Sequence, residues 1–332
     1  MHGWIVLDKP LGLGSTQAVS AVKRALRQGG YGKLKVGHGG TLDPLATGVL
    51  PVAVGEATKL AGRLLDGDKV YAFTIRFGEE TATLDAEGPV IATSDVRPTR
   101  AALDAVLSRF TGPIDQVPPA YSALKVDGQR AYDRARAGEE VLLATRAVTV
   151  HALHTSPERG GGPFASASGG GAATDAASGA APPPSACADG FSPRCGEEVE
   201  EITLVAHVSK GTYIRSLARD VAAALGTVGH VTMLRRLKAG PFNLAAAVSL
   251  DKLGELGQAR ALEGICLPLR AGLDDIPALS LTLDQAAALR QGRALFGVDA
   301  ADGAAFATLQ DVPVALVDIV AGEVRVVRGF NL

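Results

Sequence analysis

The chain of 332 residues is long enough to bury a sizeable core, as one large domain or two smaller ones. Its formal net charge of −2 excludes a globally basic nucleic-acid binder, so any recognition of a polyanion has to come from local clusters. The three cysteines, Cys187, Cys195 and Cys266, have no CxxC spacing and no paired histidines beside them. They support neither a disulfide framework nor a zinc site and leave a reducing, cytoplasmic location as the default. No charged-then-apolar signal opens the chain and no uncharged apolar run could span a bilayer, so it reads as soluble.

Trp4 to Leu7 reads as a strand, followed by a turn at Pro10, Gly12 and Gly14, with Ser15 or Thr16 capping a helix over 18–27. The run from Gly12 to Thr16 lacks the third glycine of a dinucleotide fingerprint and the Gly-Lys-Ser/Thr ending of a P-loop, so neither is assigned. From Lys9 to Leu42 there is no acid, while Lys9, Lys23, Arg24, Arg27, Lys33 and Lys35 are basic, a one-sidedness that points to an anion-binding surface. A strand over 49–54 and a helix over 56–65 come next. Lys69 to Phe77 then alternates cleanly, with Tyr71, Phe73, Ile75 and Phe77 on one face.

Asp85 to Gly88 reads as a turn, 99–110 as a capped amphipathic helix, 121–126 as strand-like, 129–137 as a short helix and 148–153 as a strand. From Pro157 to about Glu198 the composition collapses to Gly, Ala, Ser and Pro, too poor in apolar surface to offset its ordering entropy. Strand-like sequence resumes at 202–208, so this segment, with Cys187 and Cys195, reads as a disordered insertion between two strands. Thr212 can cap a helix running to Leu225, and 228–237 is a strand carrying Arg235 and Arg236. After a helix near 250–256 and a linker around 274–277, a small unit follows. It has a helix near 283–291 and strands over 314–319 and 324–327, joined at Ala321-Gly322.

The stretch from Gly37 to Leu50 is the centre of the chain. It places one carboxylate, Asp43, among four glycines and before Pro44, which biases it towards an extended conformation. An Asp-Pro pair is also ordinary grammar for a helix start. The other motifs give it weight. GHGGTLDPLATGVL at 37–50, Lys69-Val70-Tyr71, Tyr121 to Lys125, Ser209 to Arg215 and Leu234-Arg235-Arg236 occur in the order found in the bacterial tRNA pseudouridine synthase B family, which this chain resembles.

That resemblance covers nearly the whole chain outside the insertion. It implies an α+β catalytic domain over 1–272, with a central, mainly antiparallel sheet flanked by helices, and a small β-rich, PUA-like RNA-binding module over 273–332. It implies isomerisation of uridine 55 in the T-loop of tRNA, with neither cofactor nor metal, no obligatory protein partner, no membrane and a monomeric state. Asp43 would be the essential carboxylate, as nucleophile at the sugar or as base for a glycal-type intermediate. A single acid separates the motif from ordinary glycosidases, which use two.

By the same resemblance Arg215 would hold Asp43 by a charge-assisted bond, through one nitrogen or two. Tyr71 would stack on the uracil, although its place on an apolar strand face equally suits the core. Tyr213 and Leu234 would line the pocket, and His38 would enter the space left by a flipped-out base. Lys9 with its basic segment, Lys210, Arg235, Arg236 and Lys238 would grip phosphates. Gly39 stands where many members carry Thr, a departure assigned to loop flexibility. Two other readings differ in class: a chaperone that binds and opens the T-arm with catalysis secondary, and a guide-RNA-dependent synthase of the dyskerin type, which the short N-terminus disfavours.

Overall fold

The fold is described from a computed structural model covering residues 1–122, 124–126, 128–139, 141, 143–156 and 197–332. The insertion expected from Pro157, with Cys187 and Cys195, lies outside the described residues except for its last two positions.

The centre is a ten-stranded sheet. Its main strands are β1 (Gly3–Lys9), β3 (Ala46–Val54), β4 (Lys69–Phe77), β5 (Gly112–Gln116), β6 (Arg146–Thr155), β7 (Glu201–Val208) and β8 (Gly229–Ala239), with the short β2 (Val36–His38) paired to β3. In space they run β1-β3-β8-β4-β7-β6-β5. Every pairing along this path is antiparallel except β3 with β8, so the sheet is mixed but mainly antiparallel. The one parallel seam, where Leu234 lies opposite Ala46 and Arg236 opposite Gly48, brings the Asp43 loop beside the arginine-bearing strand.

Helices cover the sheet with their apolar stripes. α1 (Ser15–Gln28) presents Ala18, Val22, Ala25 and Leu26 to Ile5, Leu7, Leu50 and Val52, and α5 (Leu250–Gln258) joins the same cluster through Leu253. α3 (Arg100–Leu107) and α4 (Ile214–Ala224) bury Leu103, Leu217 and Val221 against Phe73, Ile75 and Phe77. The period-two pattern of β4 is thus a core face, and Tyr71, near the strand's start, packs at the edge of both clusters.

Several boundaries differ from expectation. The helix over 56–65 is a 3₁₀ turn (Gly55–Lys59) followed by the short α2 (Ala61–Asp66). Thr99 caps α3 as expected, accepting from the Ala102 N–H, but the last turn to Phe110 is 3₁₀. Among the described residues of 121–126 only Lys125–Val126 is strand, paired with Gln129–Arg130, and helix begins at Ala131. Neither Ser15 nor Thr16 caps α1, since Gly14 is the N-cap and Gln17 reaches back to its N–H. Likewise Tyr213, not Thr212, occupies the N-cap position of α4.

A second, four-stranded sheet ends the chain: β9 (Ala278–Ser280), β10 (Gly303–Leu309), β11 (Val312–Val320) and β12 (Glu323–Gly329), with α6 (Leu283–Arg290) packed on it. The sequence pattern missed β10, whose alanines carry little strand signal. This sheet docks on the first through Phe306 and Phe330, which join Trp4, Leu60 and Leu64 in one cluster. Asn331 N–H donates to Glu56 and Arg63 pairs with Asp275 at 2.7 Å across the same junction. Among the described residues no helix is long and apolar enough to cross a membrane.

Candidate active site

Asp43 does not begin a helix. It opens a tight turn in which the Ala46 N–H donates to the Asp43 carbonyl at 3.0 Å, with Pro44 as the first of the two central residues. Three separate parts of the chain fix this loop. Ser15, fully inside, donates its hydroxyl to the Leu42 carbonyl at 2.9 Å and accepts the Leu42 N–H at 2.8 Å. The Lys9 ammonium donates to the carbonyls of Pro10, Leu13 and Pro44, and the Gly12 N–H donates to Pro44 as well. Arg236 spreads its guanidinium over the carbonyls of Val49, Thr41 and Gly40 at 2.7, 3.2 and 3.1 Å. The backbone of Arg236 can run this close to the loop strand only because Gly48 (φ +98°) has no side chain, since a Cβ there would stand 2.2 Å from the Arg236 carbonyl oxygen.

These contacts correct the roles expected of two residues. Lys9 and Arg236 are buried and their charges are spent on backbone carbonyls, so neither is presented to a phosphate. Burial pulls the Lys9 pKa down to about 8, with Asp43 opposing and Arg236 adding to the fall. Arg235 is turned aside too, paired with Asp8 at 2.8 Å, while Lys210 is exposed and pairs with Asp66 at 3.0 Å. Lys238 is exposed on β8.

The Asp43 carboxylate projects into a cleft of about 330 Å³, within the range of a small-molecule site. Tyr71, Tyr213, Arg215, Leu234 and Arg236 line the same cleft, so six of the expected site residues are brought together. Lys69 and Leu65 lie at its border. His38, at the end of β2, is outside this lining, and its ring Nδ1 faces the Gly40 N–H at 3.4 Å. Burial, with Arg236 nearby, holds its pKa below the ordinary histidine value.

Arg215 is the electrostatic centre of the cleft. Its side chain is 7% exposed, against 44% for Asp43, and Nη2 lies 2.8 Å from Asp43 Oδ2. The pairing uses one nitrogen. The other nitrogen, Nη1, faces Asp85 Oδ2 at 3.3 Å and donates to the Thr83 carbonyl, while Nη2 also donates to the Tyr121 carbonyl. Asp85 is itself held by the Thr83 hydroxyl and the Glu87 N–H. A cation buried this deeply needs such compensation.

Sequence reasoning missed Asp85, which read as an ordinary turn residue, and no local signal distinguishes it. It also missed Gln116, which receives the Tyr213 N–H and donates to the Tyr213 carbonyl, fixing the backbone where α4 begins. Burial raises the Tyr213 phenol above the usual tyrosine pKa. Flexibility does not account for Gly39, whose φ is ordinary and where a Cβ would lie 2.6 Å from Leu64 Cδ1. Close packing explains this glycine.

Known proteins match this chain along most of its length. Residues 24–159 match the family model described as TruB family pseudouridylate synthase (N terminal domain), and 215–274 that described as tRNA pseudouridylate synthase B C-terminal domain. A curated protein of Novosphingobium aromaticivorans named tRNA pseudouridine synthase B is 60% identical over 100% of this chain and 98% of its own length. The chain belongs to the TruB family of pseudouridylate synthases. A second TruB relative, in Zymomonas mobilis and with the same name, is 54% identical over 100% of this chain and 96% of its own. Among solved structures, a chain of an H/ACA ribonucleoprotein bound to a substrate RNA containing 2′-deoxyuridine aligns with a TM-score of 0.67. It covers 99% of this TruB chain and 85% of that one at 21% identity, a likeness of fold.

Proposed function

We propose that this chain isomerises uridine to pseudouridine in tRNA, at position 55 of the T-loop, with Asp43 as the catalytic carboxylate. The observation that carries the reading is the Asp43 carboxylate, open to a cleft and held from behind by the buried Arg215. The reaction breaks the N1–C1′ bond, turns the uracil and joins C5 to C1′. N1 gains a proton and C5 loses one, so composition is unchanged and no redox partner is needed. Asp43 acts at C1′ as nucleophile or takes the neighbouring sugar proton on a glycal route. Either role needs an ionised, oriented acid, which a single-nitrogen pairing with Arg215 provides while leaving one carboxylate oxygen free for the sugar.

The base has to leave its stack to reach this cleft, at a cost of about a few kcal/mol. Tyr71 supplies the ring on which it rests, and Tyr213 and Leu234 the opposing walls. His38, uncharged near neutral pH, is suited to fill the vacated stack. RNA backbone is met by the exposed side chains of Lys23, Arg24, Arg27, Lys33 and Lys35, which form no ion pair among the described residues. The terminal sheet, from about residue 273, is read as a PUA-like RNA-binding arm on an enzyme that works in the cytoplasm without a protein partner.

The experiment is release of tritium from C5-labelled uridine in an unmodified tRNA transcript. Release from one uridine by the wild type, abolished in Asp43→Asn with tRNA affinity kept within severalfold, is the expected result. No release by the wild type, with tight T-arm binding retained, would favour the chaperone role.

A further inference from the structure

Three side chains meet on the face of the sheet turned away from the cleft. His207 on β7 alternates with Ala206 and Val208, both buried in the core, and so projects from the other side. His151 lies in a β-bulge of β6, between the pairs Val150–Val208 and Ala152–His207, which sets its ring beside that of His207. The ring centroids are 4.8 Å apart. Asp68, whose carbonyl receives the Gly240 N–H just before β4, completes the group.

Both imidazoles aim Nε2 at the same carboxylate oxygen, His151 at 3.2 Å and His207 at 3.7 Å from Asp68 Oδ2. The three potential ligand atoms all lie within 4.8 Å of one another. Tetrahedral donors about 2.0–2.1 Å from a metal are separated by about 3.3 Å, so the group needs only a small side-chain closure to surround an ion. Side chains that are roughly two-fifths to one-half exposed have the freedom for it. A carboxylate between two imidazoles repels an anion and attracts a cation. Two nitrogens with one oxygen favour a borderline transition metal over magnesium or calcium.

We propose that Asp68, His151 and His207 form a binding site for a divalent ion of the zinc class, with a fourth position open to solvent. The ion ties the β6–β7 pair to the turn that carries Lys69 and Leu65 to the cleft border. It takes no part in the isomerisation, whose residues lie on the other face.

Titration calorimetry of the full-length protein with zinc chloride in a non-chelating buffer tests this. One equivalent should bind the wild type at least tenfold more tightly than the His151→Ala/His207→Ala double variant. Zinc should raise the thermal midpoint of the wild type only, and equimolar magnesium should not. The Asp68→Asn variant keeps both rings and the local shape, so a tenfold loss there decides the matter should the double variant fold poorly. No zinc binding by the wild type would overturn the proposal. So would equal affinity in the variants, which would assign the metal to the cysteines, although burial pushes the Cys266 thiol up to about 11 and makes it a poor ligand.

Discussion

Arg215 carries two carboxylates at once, Asp43 on Nη2 at 2.8 Å and Asp85 on Nη1 at 3.3 Å, and only Asp43 is open to the cleft. Asp85 is nearly buried, so it serves to orient the guanidinium rather than to meet substrate. Asp85→Asn keeps the shape and removes the charge, leaving the buried Arg215 undercompensated. Breaking one side of a buried pair costs about 3–5 kcal/mol. We expect a lower thermal midpoint and a kcat reduced at least tenfold, with KM for tRNA within severalfold. An unchanged kcat would show that Arg215 positions Asp43 without help.

Lys9 and the exposed lysines and arginines of the same acid-free segment should separate in a salt titration. Lys9 spends its charge on the Pro44, Leu13 and Pro10 carbonyls, and the Lys23, Arg24 and Arg27 side chains are exposed. Lys9→Met should lower stability and kcat while leaving the slope of log K against log salt as it was. Replacing Lys23, Arg24 and Arg27 by Gln should flatten that slope by about 0.7–0.9 for each phosphate no longer neutralised, with kcat at saturating tRNA retained. Filter binding at several salt concentrations reads both. A flattened slope in Lys9→Met would return Lys9 to the RNA surface.

What the sequence made legible follows from period and motif. The alternation through Tyr71, Phe73, Ile75 and Phe77 marked a core strand, and the Asp43 loop announced itself by its glycines. Six site residues scattered from Asp43 to Arg236 do converge on one cleft. The failures share a cause: they depend on contacts between distant segments. Lys9 reads as a surface cation until the fold closes over it, and Asp85 gains meaning only beside Arg215, far along the chain. His151 and His207 are ordinary strand residues until β6 and β7 pair. Charge in a sequence does not say whether water or a carbonyl will meet it.

Gly39 tests close packing against flexibility. A Cβ there meets Leu64 Cδ1 at 2.6 Å and Leu64 Cβ at 2.9 Å, and Leu64 is buried in the cluster that seats the terminal sheet. Gly39→Thr should therefore destabilise by about 1–3 kcal/mol through overpacking. Leu64→Ala alone should also destabilise, by about 2–5 kcal/mol. The double variant should lose less than the sum of the two, because the shortened side chain admits the threonine. Strict additivity in denaturant melts would mean that the two positions do not compete for space.

Lys69 offers a pH test of the cleft border. Its ammonium is buried, donates to the carbonyls of Leu65 and Gly67 at the end of α2, and has its pKa pulled from 10.5 to about 8, chiefly by burial and next by Arg236. Below pH 8 the side chain is protonated in both folded and unfolded chains, and the cost of burying the charge is present in full. Between about 8 and 10.5 the folded protein has released the proton while the unfolded chain still holds it. The unfolded state then binds more protons, and stability rises with pH through this window. Lys69→Met removes that contribution, whereas Lys9 titrates alike in both proteins and cancels. The stability of the wild type relative to Lys69→Met should accordingly improve between pH 7.5 and 9.5 in urea melts. A difference that stays flat would mean that the Lys69 ammonium keeps its water, and with it an ordinary pKa.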